Sequence, residues 1–313
     1  MKRFLLHVFA FCVLIAGLLF VITQITDRGL RHSNYSGFRV WNDIRNGAIN
    51  ADVLIQGSSH SWVQIDPHIL DTALHTDSYN IGMDGYSFDV QYARYRMYRE
   101  YNRKPKMIVQ VLDYFVFNKT TSLFDKHQFL PYLDNGYIND EVTQVGMPAY
   151  YHYLPFLKYQ ENPEYIDVGL REFFDVKHWP LTVYKGFQGQ DRHWDQSQFD
   201  NFRHNFKYIT PELSDETLND AYRFLDSCRK EDIKVVFVFT PHYYQFSQMV
   251  AYKSKYIQFL KDIASRYGAA FFDFTNDSIC YHKDYYYNGT HLNKWGATAF
   301  SLKLADSLKT IYK

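Results

Sequence analysis

Five short apolar runs, spaced so that helices fit between them, constrain the fold of this chain more than any other feature. Two of them, at 107–112 and 234–239, are almost continuously apolar, which is typical of strands covered on both faces of a parallel sheet. The other three lie at 52–56, 78–81 and 269–274. The pattern predicts an α/β fold with a five-stranded parallel sheet.

Three helices between and after these strands are marked by their ends. Ser214 stands where an N-cap would begin the helix before the fourth strand. A helix at 252–267 is expected to end at Gly268, because glycine is preferred just past a helix C-terminus. A last helix is expected to begin near Lys294, with Asn293 as its cap.

One segment breaks the alternation of strands and helices. Residues 118–210 separate the third and fourth predicted strands, which is far more chain than a crossover needs. The segment is rich in Tyr, Phe, His and Trp. It is interpreted as an inserted helical subdomain or lid within a domain spanning 31–313, and structural filler is the alternative.

The chain opens on a positively charged apolar segment. Lys2 and Arg3 precede an apolar run from Phe4 to Ile22, close to the ~20 residues that a helix needs to cross a bilayer. No small-x-small cleavage site follows, so an uncleaved signal anchor over 1–30 is predicted rather than a removed signal peptide. Positive charge before the helix keeps the N-terminus in the cytoplasm and places the rest outside.

Composition argues against several function classes. The 34 Lys+Arg balance the 34 Asp+Glu, so no basic field favours nucleic acid as a partner. No Cys/His cluster has metal-ligand spacing and no glycine-rich phosphate loop occurs, so neither a metal nor a cofactor is expected. Outside the apolar N-terminal run only Cys228 and Cys280 remain, and one disulfide between them is permitted but not required.

Polar and small residues follow the predicted strands at their carboxyl ends, where ligands bind in open parallel sheets. Ser58 and Ser59 come directly after the first strand. Gly82 and Gly85 follow the second, where backbone N–H groups can approach a developing oxyanion. The remaining strands are followed by Asp113, His242 and His291. A Gly-Ser-Ser turn or a lone histidine is more often structural, so the order of these residues matters more than any one of them.

In this order the residues resemble the SGNH (GDSL-type) hydrolase superfamily. Within it, the chain resembles the membrane-anchored extracytoplasmic branch related to the D-alanyl-transfer protein of teichoic acid modification and to alginate O-acetylation proteins. The resemblance covers most of 50–313 except the long insert. The family's Gly-Asp-Ser block corresponds to Gly57-Ser58-Ser59, which implies Ser59 as the nucleophile. Its other blocks imply Gly85, with the N–H of Ser59, as oxyanion donors and His291 as the base.

The resemblance also implies a wider setting. It implies a flavodoxin-like three-layer α/β/α sandwich of the SGNH type behind one transmembrane helix. The protein would be a bacterial inner-membrane protein whose catalytic domain faces the periplasm. Its substrate would be an acylated or acyl-accepting glycan, and a membrane-bound O-acyltransferase would be a plausible partner.

Two departures from the family pattern affect the expected chemistry. Asn288 replaces the aspartate three residues before His291, and an asparagine orients an imidazole without stabilising its charge. Asp284 could supply the missing carboxylate if the loop folds back. The third block's Gly-x-Asn is absent, because the third strand runs into Asp113, and Asn118 lies five residues further on.

The roles of the remaining candidates are less defined by the pattern. His242 is expected to contact substrate or to cap its loop, and Ser58 and Asp113 are further substrate-binding candidates. His60 is expected to point away from the nucleophile, because residues adjacent in sequence rarely face the same group.

Two functions of different classes remain open. The first is a serine esterase or O-acyltransferase, in which Ser59 attacks an acyl carbonyl and His291 transfers its proton. The second is a catalytically weak or inactive glycan-binding or assembly protein on the same fold, since a fold alone does not imply its function. A carboxylate at Nδ1 of His291, together with a donor opposite Gly85, would favour the enzyme.

Overall fold

The computed structural model describes residues 1–312, and the chain forms two compact units. The N-terminal unit comprises Met1–Asn46 and Thr121–Thr182, and the sheet unit comprises Gly47–Thr120 and the chain from Val183 onward. Helices are numbered in chain order. Those of the N-terminal unit are α1 (Lys2–Leu30), α2 (Ser36–Arg45), α6 (Gly136–Val145), α7 (Tyr150–Tyr153) and α8 (Glu164–Phe173).

The sheet unit contains all five strands and the remaining helices. The strands are β1 (Val53–Gln56), β2 (Ser78–Asn80), β3 (Met107–Leu112), β4 (Lys234–Phe239) and β5 (Ala270–Asp273). The helices are α3 (Ser59–Gln64), α4 (Pro67–Leu74), α5 (Phe88–Tyr101), α9 (Gln196–Asn205), α10 (Asp215–Lys230), α11 (Tyr244–Gln248), α12 (Lys253–Tyr267) and α13 (Lys294–Lys309). Short 3₁₀ helices lie at Lys126–Tyr132, Pro155–Leu157, Ser278–Tyr281 and Lys283–Tyr285.

Helix α1 has two halves of different character. An 18-residue window of it has a mean hydropathy of 2.9 and is not buried within the structure, so the helix is long and apolar enough to cross a membrane. Its last turns are buried against α8. There Asp27 accepts hydrogen bonds from Lys158 Nζ at 2.7 Å and the Tyr159 hydroxyl at 2.5 Å.

This packing divides the chain differently from the expected boundaries at residues 30, 118 and 210. The apolar helix does not form a segment of its own, because its C-terminal turns share a unit with Thr121–Thr182. The two ends of the predicted insert, 118–120 and 183–210, belong to the sheet unit.

The sheet is parallel throughout, with the strand order β2-β1-β3-β4-β5. This is the order of flavodoxin-like sheets. Strand β2 lies on one side of β1, and β3, β4 and β5 follow in order on the other side. Right-handed crossovers therefore place α4 on one face and α5, α10 and α12 on the other. Helix α13 packs on α3 and α4, and α5 packs on α10.

The predicted parallel sheet is confirmed, and each strand lies within a residue or two of its expected bounds. Ser214, Asn293 and Gly268 cap the helices as expected, with Gly268 in the left-handed conformation. The strand order reverses between β1 and β3, and their carboxyl ends form the crevice in which such folds bind ligands. Cys228 and Cys280 are both buried free thiols, so the permitted disulfide is not formed.

Candidate active site

A sharp turn at the end of β1 presents the two serines. Gly57 has a φ of +155°, and a Cβ built on it would lie 2.7 Å from the Cβ of Val111, so this turn requires glycine. Ser58 is the N-cap of α3, and its Oγ accepts a hydrogen bond from the N–H of His60 at 3.3 Å. Ser59 is the first residue of that helix, at the carboxyl edge of the sheet.

The histidine on the opposite side is held by a short loop that an asparagine organises. Oδ1 of Asn288 accepts the N–H groups of Thr290 at 3.0 Å and His291 at 2.8 Å, the hydrogen bonding of an Asx turn. An isolated antiparallel bridge between Tyr286 and Leu292 closes the base of the loop. The loop is therefore held by hydrogen bonds both at its base and next to His291.

The central contact of the site is a hydrogen bond of 2.7 Å between Ser59 Oγ and His291 Nε2. The other ring nitrogen, Nδ1, lies 2.9 Å from Thr290 Oγ1 and 3.1 Å from Asn288 Oδ1. The amide oxygen can only accept, so Nδ1 carries the proton and Nε2 presents its lone pair to the serine hydroxyl. This is the tautomer that a general base requires.

A second polar cluster lies directly behind this pair. Asp113, 2% exposed at the end of β3, accepts a hydrogen bond of 2.5 Å from Ser58 Oγ and lies 3.1 Å from His60 Nδ1. Burial alone raises the pKa of Asp113, but the hydrogen bonds from His60, Ser58 and the amide of Phe115 outweigh it and lower the pKa. Asp113 is therefore an ionised, fully partnered carboxylate.

Four rings lie in succession through the site, from the loop toward the core. Tyr287 stacks on His291 with centroids 5.5 Å apart, and His291 stacks on His60 at 4.8 Å with an interplanar angle of 13°. His60 in turn lies 4.8 Å from His242. Burial, and then the neighbouring His60 and His242, hold the pKa of His291 well below its usual value, while Asp113 acts in the opposite direction.

A pocket of about 270 Å³ opens onto the serine and the histidine. It is lined by Ser58, Ser59, His60, Gly85, Tyr86, Ser87, Asp113, Phe115, Thr290 and His291. Gly85 is in the left-handed region, with a φ of +73°, and the N–H groups of Gly85 and Ser59 have no acceptor among residues 1–312. Gly82 is not such a donor, because its N–H is taken by Asn80 Oδ1 at 2.9 Å.

The structure places several other candidates away from the expected roles. Asp284 is exposed in a 3₁₀ turn and does not meet His291, whose Nδ1 is occupied by Thr290 and Asn288. His242 is 1% exposed, its Nδ1 donates to the Thr240 carbonyl within its own loop at 3.0 Å, and it is not among the residues that line the pocket. Asn118, whose Oδ1 accepts an N–H from Glu212, is not among the residues that line the pocket.

His60 is the residue that sequence reasoning missed, because it was expected to point away from the nucleophile. Residues one apart at a helix start diverge by roughly 100°, yet the His60 ring reaches back under His291 to pair with Asp113. The available signal was the acidic residue Asp113, which directly follows β3. A buried aspartate needs a donor, and His60 is the nearest ionisable donor after β1.

The lowered pKa values of His242 and His291 predict that the folded protein is less stable in acid. The pKa of His242 is lowered from 6.5 to about 3, first by burial and then by His60, and the pKa of His291 is lowered as well. Between pH 6.5 and those lower values the unfolded chain binds more protons than the folded chain, so the free energy of unfolding falls as pH falls. We expect a lower denaturant midpoint at pH 5 than at pH 7.5, and an equal or higher midpoint at pH 5 would contradict this.

No protein-family model matches the chain, and no curated protein matches it significantly. The protein is therefore characterised by its own fold and site. It is an α/β chain with a serine–histidine pair at the switch point of a parallel sheet. An apolar helix lies at its N-terminus.

Proposed function

We propose that this protein is a membrane-anchored serine esterase or O-acyltransferase of the SGNH type. The observation that carries the proposal is the 2.7 Å hydrogen bond from Ser59 Oγ to the unprotonated Nε2 of His291, at the mouth of a pocket. The order Gly57-Ser58-Ser59, Gly85 and His291 on a β2-β1-β3-β4-β5 sheet is the arrangement that the SGNH resemblance implies.

The geometry supports an acyl-enzyme mechanism. Ser59 Oγ attacks the acyl carbonyl carbon while His291 Nε2 takes the hydroxyl proton. The N–H groups of Ser59 and Gly85 donate to the oxyanion of the tetrahedral intermediate. His291 then gives its proton to the leaving alkoxide, which departs as an alcohol. Water or an acceptor hydroxyl repeats the sequence in reverse, releasing the acyl group and restoring Ser59.

The size of the pocket favours a short acyl group. Its volume of about 270 Å³ is slightly below the range of about 300–1,000 Å³ that is typical of small-molecule sites. An acyl group borne on a sugar would leave most of the sugar outside this volume. Our proposal is therefore that the substrate is a short-chain acyl ester of a cell-surface or secreted glycan.

The N-terminal helix supports an extracytoplasmic location. Lys2 and Arg3 precede the apolar stretch of α1, so the positive-inside tendency keeps the N-terminus in the cytoplasm and the sheet unit outside. In a bacterium this corresponds to the inner membrane with the active site in the periplasm. A membrane-bound O-acyltransferase would supply acyl groups at that surface and is the partner we propose.

A second candidate function rests on one specific contact. His291 Nδ1 meets an amide oxygen and a hydroxyl where Ser-His-Asp enzymes have a carboxylate. In such a triad, replacing the aspartate by asparagine costs about 10⁴ in rate. The alternative is thus a catalytically weak protein that binds glycan chains in the same pocket.

Covalent labelling separates the two candidates. An alkyl fluorophosphonate phosphonylates only an activated serine, and peptide mapping locates the adduct. An adduct on Ser59 of the full chain in detergent would support the enzyme. If the folded wild type remains unlabelled even at pH 8–9, where a histidine base is neutral, the enzyme proposal fails and glycan binding becomes the better function.

Replacing Asn288 by aspartate tests whether the missing carboxylate beside Nδ1 of His291 limits the reactivity of Ser59. Asn288→Asp keeps the Oδ1 acceptor of the turn and adds negative charge beside Nδ1 of His291, which stabilises the imidazolium formed during attack. We expect the labelling rate at pH 8 to rise about tenfold or more. Asn288→Ala, which removes both the charge and the turn, should lower it. An equal loss in both variants would show that Asn288 only shapes the loop.

A further inference from the structure

A buried ion pair, His60 with Asp113, lies behind the Ser59–His291 pair. His60 is 4% exposed and Asp113 is 2% exposed, and together they span α3 and the end of β3. Burying an ion pair usually costs more in desolvation than it returns in attraction, so packing alone gives little reason for one here. His60 of this pair stacks on the ring of His291.

The contacts of His60 determine its charge. Nδ1 lies 3.1 Å from Asp113 Oδ2, and Nε2 lies 3.1 Å from the carbonyl oxygen of Thr290. An ionised carboxylate and a carbonyl are both acceptors only, so both nitrogens must carry a proton for these hydrogen bonds to form. His60 is therefore an imidazolium, and its positive charge lies against one face of His291.

The same contacts fix the position of the base. Thr290 precedes His291, and its carbonyl accepts from His60 Nε2 and from Gln64 Nε2, both at 3.1 Å. Both donors belong to α3, the helix that begins with Ser59. The nucleophile and the base are thus joined through a backbone atom next to His291 as well as through their own hydrogen bond.

We propose that His60, held by Asp113, is a positioning residue that locks the His291 loop onto the nucleophile helix and keeps His291 in its neutral, proton-accepting form. This inference deepens the proposed function and rests on it. The other ionisable groups that face His291 are His242 after β4, Arg192 before α9 and Tyr287 of its own loop. Unlike His242 and Arg192, His60 stacks on His291 and also holds its loop through the carbonyl of Thr290.

Histidine C2 hydrogen–deuterium exchange measures the protonation of His291 without any catalysis. Trypsin cleaves after Lys283 and Lys294, and the peptide between them contains His291 as its sole histidine. The exchange rate of this peptide as a function of pH gives the midpoint for His291 in the full chain. The wild-type midpoint should lie below 6.5, and a midpoint at or above 6.5 would overturn the proposal whether or not any variant folds.

Two variants distinguish charge from packing. His60→Gln removes the positive charge and leaves Asp113 uncompensated, so the midpoint should rise by about one pH unit or more. His60→Lys keeps the charge but not the ring, so the midpoint should stay near that of the wild type. His68→Gln, at an exposed site on α4, is the matched control. Equal rises in the Gln and Lys variants, or no rise in His60→Gln, would overturn the role of the charge.

The outcome is separable from that of the proposed function. If His291 follows this exchange pattern and Ser59 does not react with the fluorophosphonate, the esterase proposal fails while the charge assignment holds. If Ser59 reacts and the pattern is absent, the dyad is real and His60 has no part in controlling it.

Discussion

Replacing Ser59 by alanine will abolish covalent labelling by a fluorophosphonate and reduce turnover of a short-chain ester by at least about 10³-fold. The reason is geometric, because Ser59 Oγ is the hydroxyl that lies within hydrogen-bonding distance of Nε2 of His291. The neighbouring Ser58 hydroxyl cannot receive that activation, since it already donates to Asp113. The measurement is the rate of adduct formation, followed by intact mass, with ester turnover as the second readout.

Ser58→Ala is the matched control for this result. The substitution removes the cap of α3 and one hydrogen bond to Asp113, so it should lower stability by roughly 1–2 kcal/mol. The Ser59–His291 hydrogen bond is untouched by it, so labelling should persist within about tenfold of wild type. Labelling that survives in Ser59→Ala, or that disappears equally in both variants, would contradict the assignment of the nucleophile.

Replacing Asp113 by alanine will cause the largest loss of stability of any single change at the site. The carboxylate partners His60, Ser58 and the amide of Phe115 in a fully buried position. Removing it leaves the His60 imidazolium buried without a counter-charge, which typically costs about 3–5 kcal/mol. For a unit of this size, that corresponds to a fall in Tm of roughly 6–20 °C.

Two comparisons make the stability result specific. Asp284→Ala removes an exposed carboxylate near the same loop and should leave Tm and labelling within experimental error of wild type. The double variant His60→Leu with Asp113→Leu removes both charges, so it should be more stable than Asp113→Ala alone. If Asp113→Ala and Asp284→Ala have similar Tm values, the buried ion pair does not exist in solution.

The parts of this site that could be predicted from the sequence are those that local chemistry decides. The almost continuously apolar run Met107–Leu112 is typical of a strand buried on both faces. The helical segments between the strands predict that neighbouring strands are parallel, as β1 and β3 are. Gly57 marks the turn because a side chain would collide with Val111. Asn288 shapes the histidine loop through hydrogen bonds within four residues of chain.

The interpretation failed where a local turn or a side-chain hydrogen bond redirects a group that lies close to the site in the sequence. The sequence suggested Asp284 as the carboxylate for His291, because it is near in the chain and acidic. The 3₁₀ turn at Lys283–Tyr285 instead directs Asp284 to solvent. Gly82 was a plausible oxyanion donor by position, yet the side chain of Asn80 captures its N–H. In both cases a local hydrogen bond or turn, invisible to spacing, made the choice.

By itself, the sequence of this protein determined the strands, the helix ends, the apolar N-terminal helix and the two loops that carry Ser59 and His291. These features depend on apolar periodicity and on hydrogen bonds from side chains to nearby backbone groups. Both involve only residues that are close together in the sequence. Only the tertiary structure decided that His60 would pair with Asp113, fifty-three residues away, and stack on His291. That pairing follows from the neighbouring positions of β1 and β3 in the sheet, which bring their carboxyl ends together in a place where a buried carboxylate must find a donor.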